Sequence, residues 1–153
     1  MKTLFLSLCI GSLVCFGLYG QSIDLEYIRL NYEHATTDKE LCRKMIEEMQ
    51  RNKEHPVYLA YLGGLQSIWA NHVGNPITKL KTFNKGKKNL EKAVPMDSEN
   101  IEIRFIRWSV QKNAPRFLGY YQQIEEDKKF ISDKKHKIQS ESLKQLVQKS
   151  YVE

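Results

Sequence analysis

The side chains able to do chemistry in this 153-residue sequence are few and scattered. Four histidines, His34, His55, His72 and His136, stand far apart, with no second histidine or cysteine three or four residues from any of them. Zinc needs several nitrogen or sulfur ligands converging on one point, so the sequence predicts no metal site. There is no phosphate-cradling glycine loop, because Gly63-Gly64 falls inside a helical stretch and no lysine follows at the required place. A Gly-x-Ser-x-Gly nucleophile turn is absent as well. The expectation is a protein without catalytic residues, metal or cofactor.

Two constellations have a chemistry of their own. Lys81, Lys85, Lys88 and Lys92 recur at helical spacing, and residues 79 to 92 hold six lysines against the one acid Glu91. Such a face is either a solvated helix surface or an electrostatic dock for an acidic protein, an anionic glycan or a membrane headgroup. Nucleic acid is not expected, since the stripe lacks interleaved aromatics on which bases would stack. The second constellation is Arg104, Arg107 and Gln111 on one helical stripe, with Trp108 at its edge. Guanidiniums facing a neighbouring helix require acids, because an unpaired buried charge is costly. Glu125, Glu126 and Asp127 are the candidates, giving an ion-pair network. The other reading is a polar pocket of Arg104, Arg107, Gln111, Trp108 and Tyr120 that recognises a carboxylate, for which the planar fork of arginine is suited.

The elements that must position these residues are helical. No segment alternates polar and apolar residues, whereas a 3.6-residue period recurs along the chain, predicting an all-α fold of about seven antiparallel helices stacked as hairpins, or a compact bundle. The first helix, about 22 to 35, has two apolar stripes, Ile23, Tyr27, Leu30 and His34 on one and Leu25, Ile28 and Tyr32 on the other, and is expected to pack on both. Thr37 and Glu40 have capping-box spacing and should open a second helix ending near Asn52. Pro56 and Pro76 sit where helices begin, since a first-turn N–H lacks an intrahelical partner anyway. The helix from Pro56 to about His72 is apolar nearly all round and belongs in the centre, with the small residues Ala60, Gly63, Gly64, Ser67 and Ala70 offering a flat face. The next, Pro76 to Val94, should turn Leu80, Phe83, Leu90 and Val94 inward and stop at Pro95. A fifth runs from after the Met96 to Ser98 turn to about Lys112. A sixth, Pro115 to about Ser132, should bury Phe117, Tyr121, Ile124 and Ile131, and a capping helix covers about 137 to 150.

Composition and the N-terminus add an address. The chain is 41% hydrophobic and 27% charged, with 24 basic and 18 acidic residues, which is globular composition with a basic bias and enough length for one core. Lys2, the apolar run Leu4 to Val14 and the small Gly20 have the layout of a secretory signal peptide, with cleavage after Gly20 and a single helical domain over 21–153. The alternative is an uncleaved membrane anchor. Removing residues 1 to 20 takes away Lys2 and no acid, so the net charge falls from +6 to +5. It also leaves Cys42 as the one cysteine, which precludes an intrachain disulfide and places a small hydrophobe on an apolar stripe with Leu41, Met45, Ile46 and Met49.

The small, large, small, turn spacing of Gly86, Leu90, Ala93 and Ser98 resembles the second helix of a tetratricopeptide repeat and its exit. The text LEKAVPMDSENIEIRFIRWS is similar to the junction at which one such repeat hands over to the next. The pattern diverges at Ser98, where the family carries a turn proline. It diverges again at Arg104, Arg107, Trp108 and Gln111, which hold the places of its large aromatic, leucine, glycine and tyrosine, and the Pro56 to Ser98 separation exceeds the period of about 34 residues. The resemblance implies a helical-repeat-like superhelix. Residues 75 to 131 also resemble small secreted proteins of Bacteroidota bacteria, which implies a bacterial exported location, periplasmic or extracellular, and transfers no catalytic residue. The functional expectation is a non-enzymatic exported module that binds a protein or peptide on the surface of its third to sixth helices. The alternatives are a charge-driven module seated on anionic lipid or glycan of the envelope through the lysine stripe, and an enzyme whose site gathers around Arg104, His72 and Asp127.

Overall fold

A computed structural model describes residues 24–152; the leader read at residues 1 to 20 lies outside them. Among the described residues the protein is all-α, with seven α-helices and no strand: α1 Leu25–Asn31, α2 Lys39–Arg51, α3 Pro56–His72, α4 Pro76–Met96, α5 Ile101–Asn113, α6 Ile124–Lys134 and α7 Glu141–Val152. Short 3₁₀ turns at His34–Thr36, Arg116–Leu118 and Lys135–Lys137 join them. No helix among the described residues is long and apolar enough to cross a membrane.

Side chains that satisfy first-turn N–H groups set the helix starts. Asp38 accepts from Leu41 N at 2.9 Å to open α2, Asn75 from Ile77 N and Thr78 N at 3.0 and 3.1 Å to open α4, and Asn100 from Glu102 N and Ile103 N at 3.0 and 3.3 Å to open α5. The cap of α2 is therefore Asp38, one residue beyond the expected Thr37, whose hydroxyl instead donates to His34 O. Pro56 and Pro76 begin α3 and α4 as expected.

Helix α3 is the axis of the fold. Its residues Val57 and Leu59 through Ser67 are all buried, and α2, α4 and α5 pack around it. Cys42, Met45 and Met49 of α2 are fully buried, and the Cys42 thiol donates to Leu65 O at 3.6 Å. Burial pushes that thiol up to about 12, far from nucleophilic range at neutral pH. Helix α4 runs antiparallel to α3, with Gly63 beside Leu90 and Ser67 beside Gly86, an approach that only glycine backbones permit. Helix α5 lies on another side of α3 in the parallel sense, pairing Tyr61 with Glu102 and Gly64 with Ile106. Helix α6 returns antiparallel along α5, and α7 lies beside α1.

Several expected boundaries and faces are corrected by this packing. Helix α4 continues through Pro95 to Met96, because the proline removes only one N–H in the last turn while Ala93 and Val94 are buried. Helix α1 is shorter than read, and only its Leu25, Ile28 and Tyr32 side packs inward; Tyr27, Leu30 and His34 are exposed. Pro115 opens a 3₁₀ turn, not a helix, since Gly119 at φ 62 turns the chain out of register and α6 starts at Ile124. Phe117 and Tyr121 consequently face solvent, and Leu80 is also exposed.

Three phenols sit deep in this core. Burial raises the ionisation of Tyr32, Tyr61 and Tyr120 above the ordinary tyrosine range, helped by the neighbouring Glu102 carboxylate at Tyr61 and by Glu91 at Tyr120. The folded chain therefore keeps protons that the unfolded chain releases above about pH 10. Stability is complete below that pH and falls above it, by about 1.4 kcal/mol per pH unit for each of the three phenols. Urea unfolding followed from pH 8 to 11 should show a plateau and then a steep loss; a flat profile through pH 11 would contradict the burial of these groups.

Candidate functional site

A groove of about 1120 Å³ opens between the helices. Five stretches of chain build it, one of them Lys149 and Ser150 near the end of α7. The turn after α1 supplies Tyr32 and His34, the end of α3 supplies Ala70 and Asn71, and the first two turns of α4 supply Pro76, Lys79, Leu80 and Phe83. Helix α5 supplies Phe105, Trp108 and Lys112, and the turn after it Pro115 and Phe117. Phe83, Phe105 and Trp108 are buried and form apolar floor, while Leu80 and Phe117 stand on the lips, 47% and 86% exposed. Trp108 is braced from both directions: Tyr151 of α7 stacks on its ring at 4.9 Å, and the Lys112 ammonium lies 5.2 Å from the ring centre. Lys112 also donates to Ser150 O at 3.1 Å, which holds the end of α7 against α5.

Charge around the groove is uneven. Among the described residues, Lys79, Lys112 and Lys149 line it against one acid, Glu33, and the Glu33–Lys149 pair leaves Lys79 and Lys112 in excess. The groove is thus an apolar trough with a basic margin.

The arginines of α5 lie in a different environment. Asp127 is wholly buried and accepts Arg107 Nε at 2.7 Å on one oxygen and Arg107 Nη2 and Arg104 Nη1, both at 2.8 Å, on the other. Arg104 reaches Glu126 at 2.8 Å as well and stacks on Phe130, its guanidinium 4.8 Å from the ring centre. Glu91 of α4 extends the network, 3.5 Å from Arg107 and accepting the Tyr120 hydroxyl at 2.6 Å. Gln111 donates to Gln123 at 2.8 Å, whereas its own Oε1 and Trp108 Nε1 have no partner among the described residues. The structure therefore brings Arg104, Arg107, Glu126 and Asp127 together in one ion-pair network, with Tyr120 attached through Glu91. Glu125 is exposed and outside it, and Trp108 belongs to the groove.

His72 is drawn to Ala35 O at 2.9 Å, while Asp127 is engaged by both arginines. Lys81, Lys85, Lys88 and Lys92 are all exposed along α4. Among the described residues, no three His, Cys, Asp or Glu side chains are grouped as a metal ion would require.

Two features escaped sequence reading. One is the groove itself, which depends on Phe117 being turned outward by Gly119. The other is a second buried network: Glu102 of α5 accepts Arg29 of α1 through both oxygens at 2.7 Å and the Tyr61 hydroxyl of α3 at 2.7 Å. Arg29 also pairs with Glu26, whose carboxylate accepts the Ser142 and Ser140 hydroxyls of and before α7, and those bonds hold Glu26 below the usual carboxylate range. Its members are separated by up to 116 positions, so no local spacing signals it.

Compared with family models, with curated proteins and with solved structures, the chain matches none.

Proposed function

We propose that this protein is an exported, non-enzymatic binding module that docks a segment of another protein or a peptide in the groove between the start of α4 and the end of α5. The observation that carries the reading is the pair Leu80 and Phe117, two large exposed apolar side chains that line one trough, Leu80 from α4 and Phe117 from the turn after α5. Exposed apolar side chains gathered around a concavity mark an interaction site. Stacked helical hairpins of the tetratricopeptide kind commonly present partners with grooves of this sort, and here the α3–α4 hairpin and α5 supply most of the walls.

The test is a double variant, Leu80→Ser with Phe117→Ser. Both side chains are exposed, so stability should change by no more than about 0.5 kcal/mol. Immobilised wild-type protein should retain a partner from envelope extract through a high-salt wash, and the double variant should lose it. Equal retention by the two proteins would remove the groove from consideration.

A further inference from the structure

The chemistry of the groove narrows what can occupy it. We propose that its occupant is an acidic amphipathic helix of another protein, an inference that rests on the docking reading above and adds the partner's shape and charge.

The shape follows from what the groove offers. Peptides that bind as strands need a sheet edge with unpaired N–H and C=O groups, and the described residues contain no strand. The walls of this groove are instead helix faces and the turns joining them, and most of their backbone N–H groups are spent inside helices. What remains is side-chain surface: the exposed Leu80 and Phe117 above a floor where Phe83 and Trp108 keep a narrow accessible edge. An apolar helix face, which satisfies its own backbone, is the complement of such a trough.

The charge follows from the margin. Lys79 projects from the second helical turn of the α4 wall and Lys112 from the α5 wall, both exposed, so an occupant meets an ammonium on each side. The one carboxylate in the lining, Glu33, is neutralised within the protein by Lys149. A partner with carboxylates flanking its apolar face gains on both walls, whereas a basic partner meets like charge on both. The same argument disfavours a second copy of this chain, which carries a net charge of +6, or +5 without residues 1 to 20.

Two synthetic helical peptides with the same leucine face test this, one with glutamates and the other with lysines on the polar face, each titrated by fluorescence anisotropy into the purified protein. The glutamate peptide should bind at least about tenfold more tightly than the lysine peptide, with an advantage that shrinks as salt is raised. Lys79→Glu and Lys112→Glu should each weaken the glutamate peptide and strengthen the lysine one, and Phe117→Ser should weaken both. Since Lys112 also braces Ser150, Lys79→Glu is the variant free of a packing role. Equal binding of the two peptides with loss on Phe117→Ser would overturn the charge assignment and leave the groove intact. Failure of both peptides would overturn the acidic-helix assignment, with the extract experiment still reporting on the groove. Glutamate-peptide binding that survives Phe117→Ser but is lost in Lys85→Glu with Lys88→Glu would place the attraction on the outer face of α4 and sink both readings. Sedimentation showing a dimer that Phe117→Ser dissociates would replace the foreign helix by a second copy.

Discussion

Replacing Asp127 by leucine should cost about 3–5 kcal/mol of stability, because it leaves the buried Arg107 guanidinium with only Glu91 at 3.5 Å and takes one of its two acids from Arg104. In a domain of this size that corresponds to a fall in Tm of roughly 10 °C or more. Arg107→Met should cost less: Asp127 then keeps Arg104 at 2.8 Å, and Arg104 keeps Glu126. The asymmetry is a consequence of one carboxylate serving two cations. Combining Arg107→Met with Asp127→Leu removes the opposite charges together and should cost far less than the sum of the singles, leaving Arg104 to Glu126 and the Ser98 carbonyl. Urea unfolding of the four proteins closes a double-mutant cycle, and a coupling below about 0.5 kcal/mol would mean that this network contributes little to holding α6 on α5.

Gly86→Ala should destabilise the protein by about 2–3 kcal/mol, although alanine is the better helix former by about 1 kcal/mol. A Cβ at this position would lie 2.5 Å from the Gly63 carbonyl oxygen and 3.0 Å from Ser67 N. Those are backbone atoms of α3, which cannot swing aside, so the two helices must separate and loosen contacts along their whole length. Gly63→Ala meets the reciprocal obstacle, 2.7 Å from Gly86 O. Gly74 supplies the control: nothing lies within 4 Å of a Cβ built there, so Gly74→Ala should be neutral or slightly stabilising. Thermal melts of the three variants decide the matter. A Gly86→Ala protein as stable as the wild type would mean that α3 and α4 are not held at the separation described.

These glycines also show what a sequence can and cannot disclose. Ala60, Gly63, Gly64 and Ser67 share a helix face at a spacing any reader can count, and Pro56 and Pro76 mark helix starts through the chemistry of their own rings, so the centre of the fold and two of its boundaries are legible. The spacing of Arg104 and Arg107 likewise announces a need for acids, and the structure supplies Asp127 and Glu126. Phe117 illustrates the opposite. It stands at helical intervals from Tyr121, Ile124 and Ile131, and periodicity alone places it inside; the left-handed Gly119 between them breaks the period and puts Phe117 in solvent. The signal was a single glycine four residues after a proline, outweighed by a run of apolar matches. The Arg29, Tyr61 and Glu102 cluster had no signal, because partners 41 and 73 positions apart meet only once the helices have assembled. The groove belongs to the same class: its walls come from five separate stretches of chain, and concavity is a property of their arrangement.

The pairing of α1 with α7 bears on the order in which the protein is made. Helix α1 has seven residues, too few to persist alone in water, and its polar side is fastened to Ser140 and Ser142, 114 and 116 positions after Glu26. Helices α2 to α6 can close on α3 as each is added, and α1 can meet α3 and α5 through Tyr32 and Arg29, but its Glu26 side is satisfied only once residues beyond 140 are present, and closing that long a loop is slow. During synthesis, then, α1 lacks its polar fastening until α7 emerges, and this side of the fold locks only when the two helices meet.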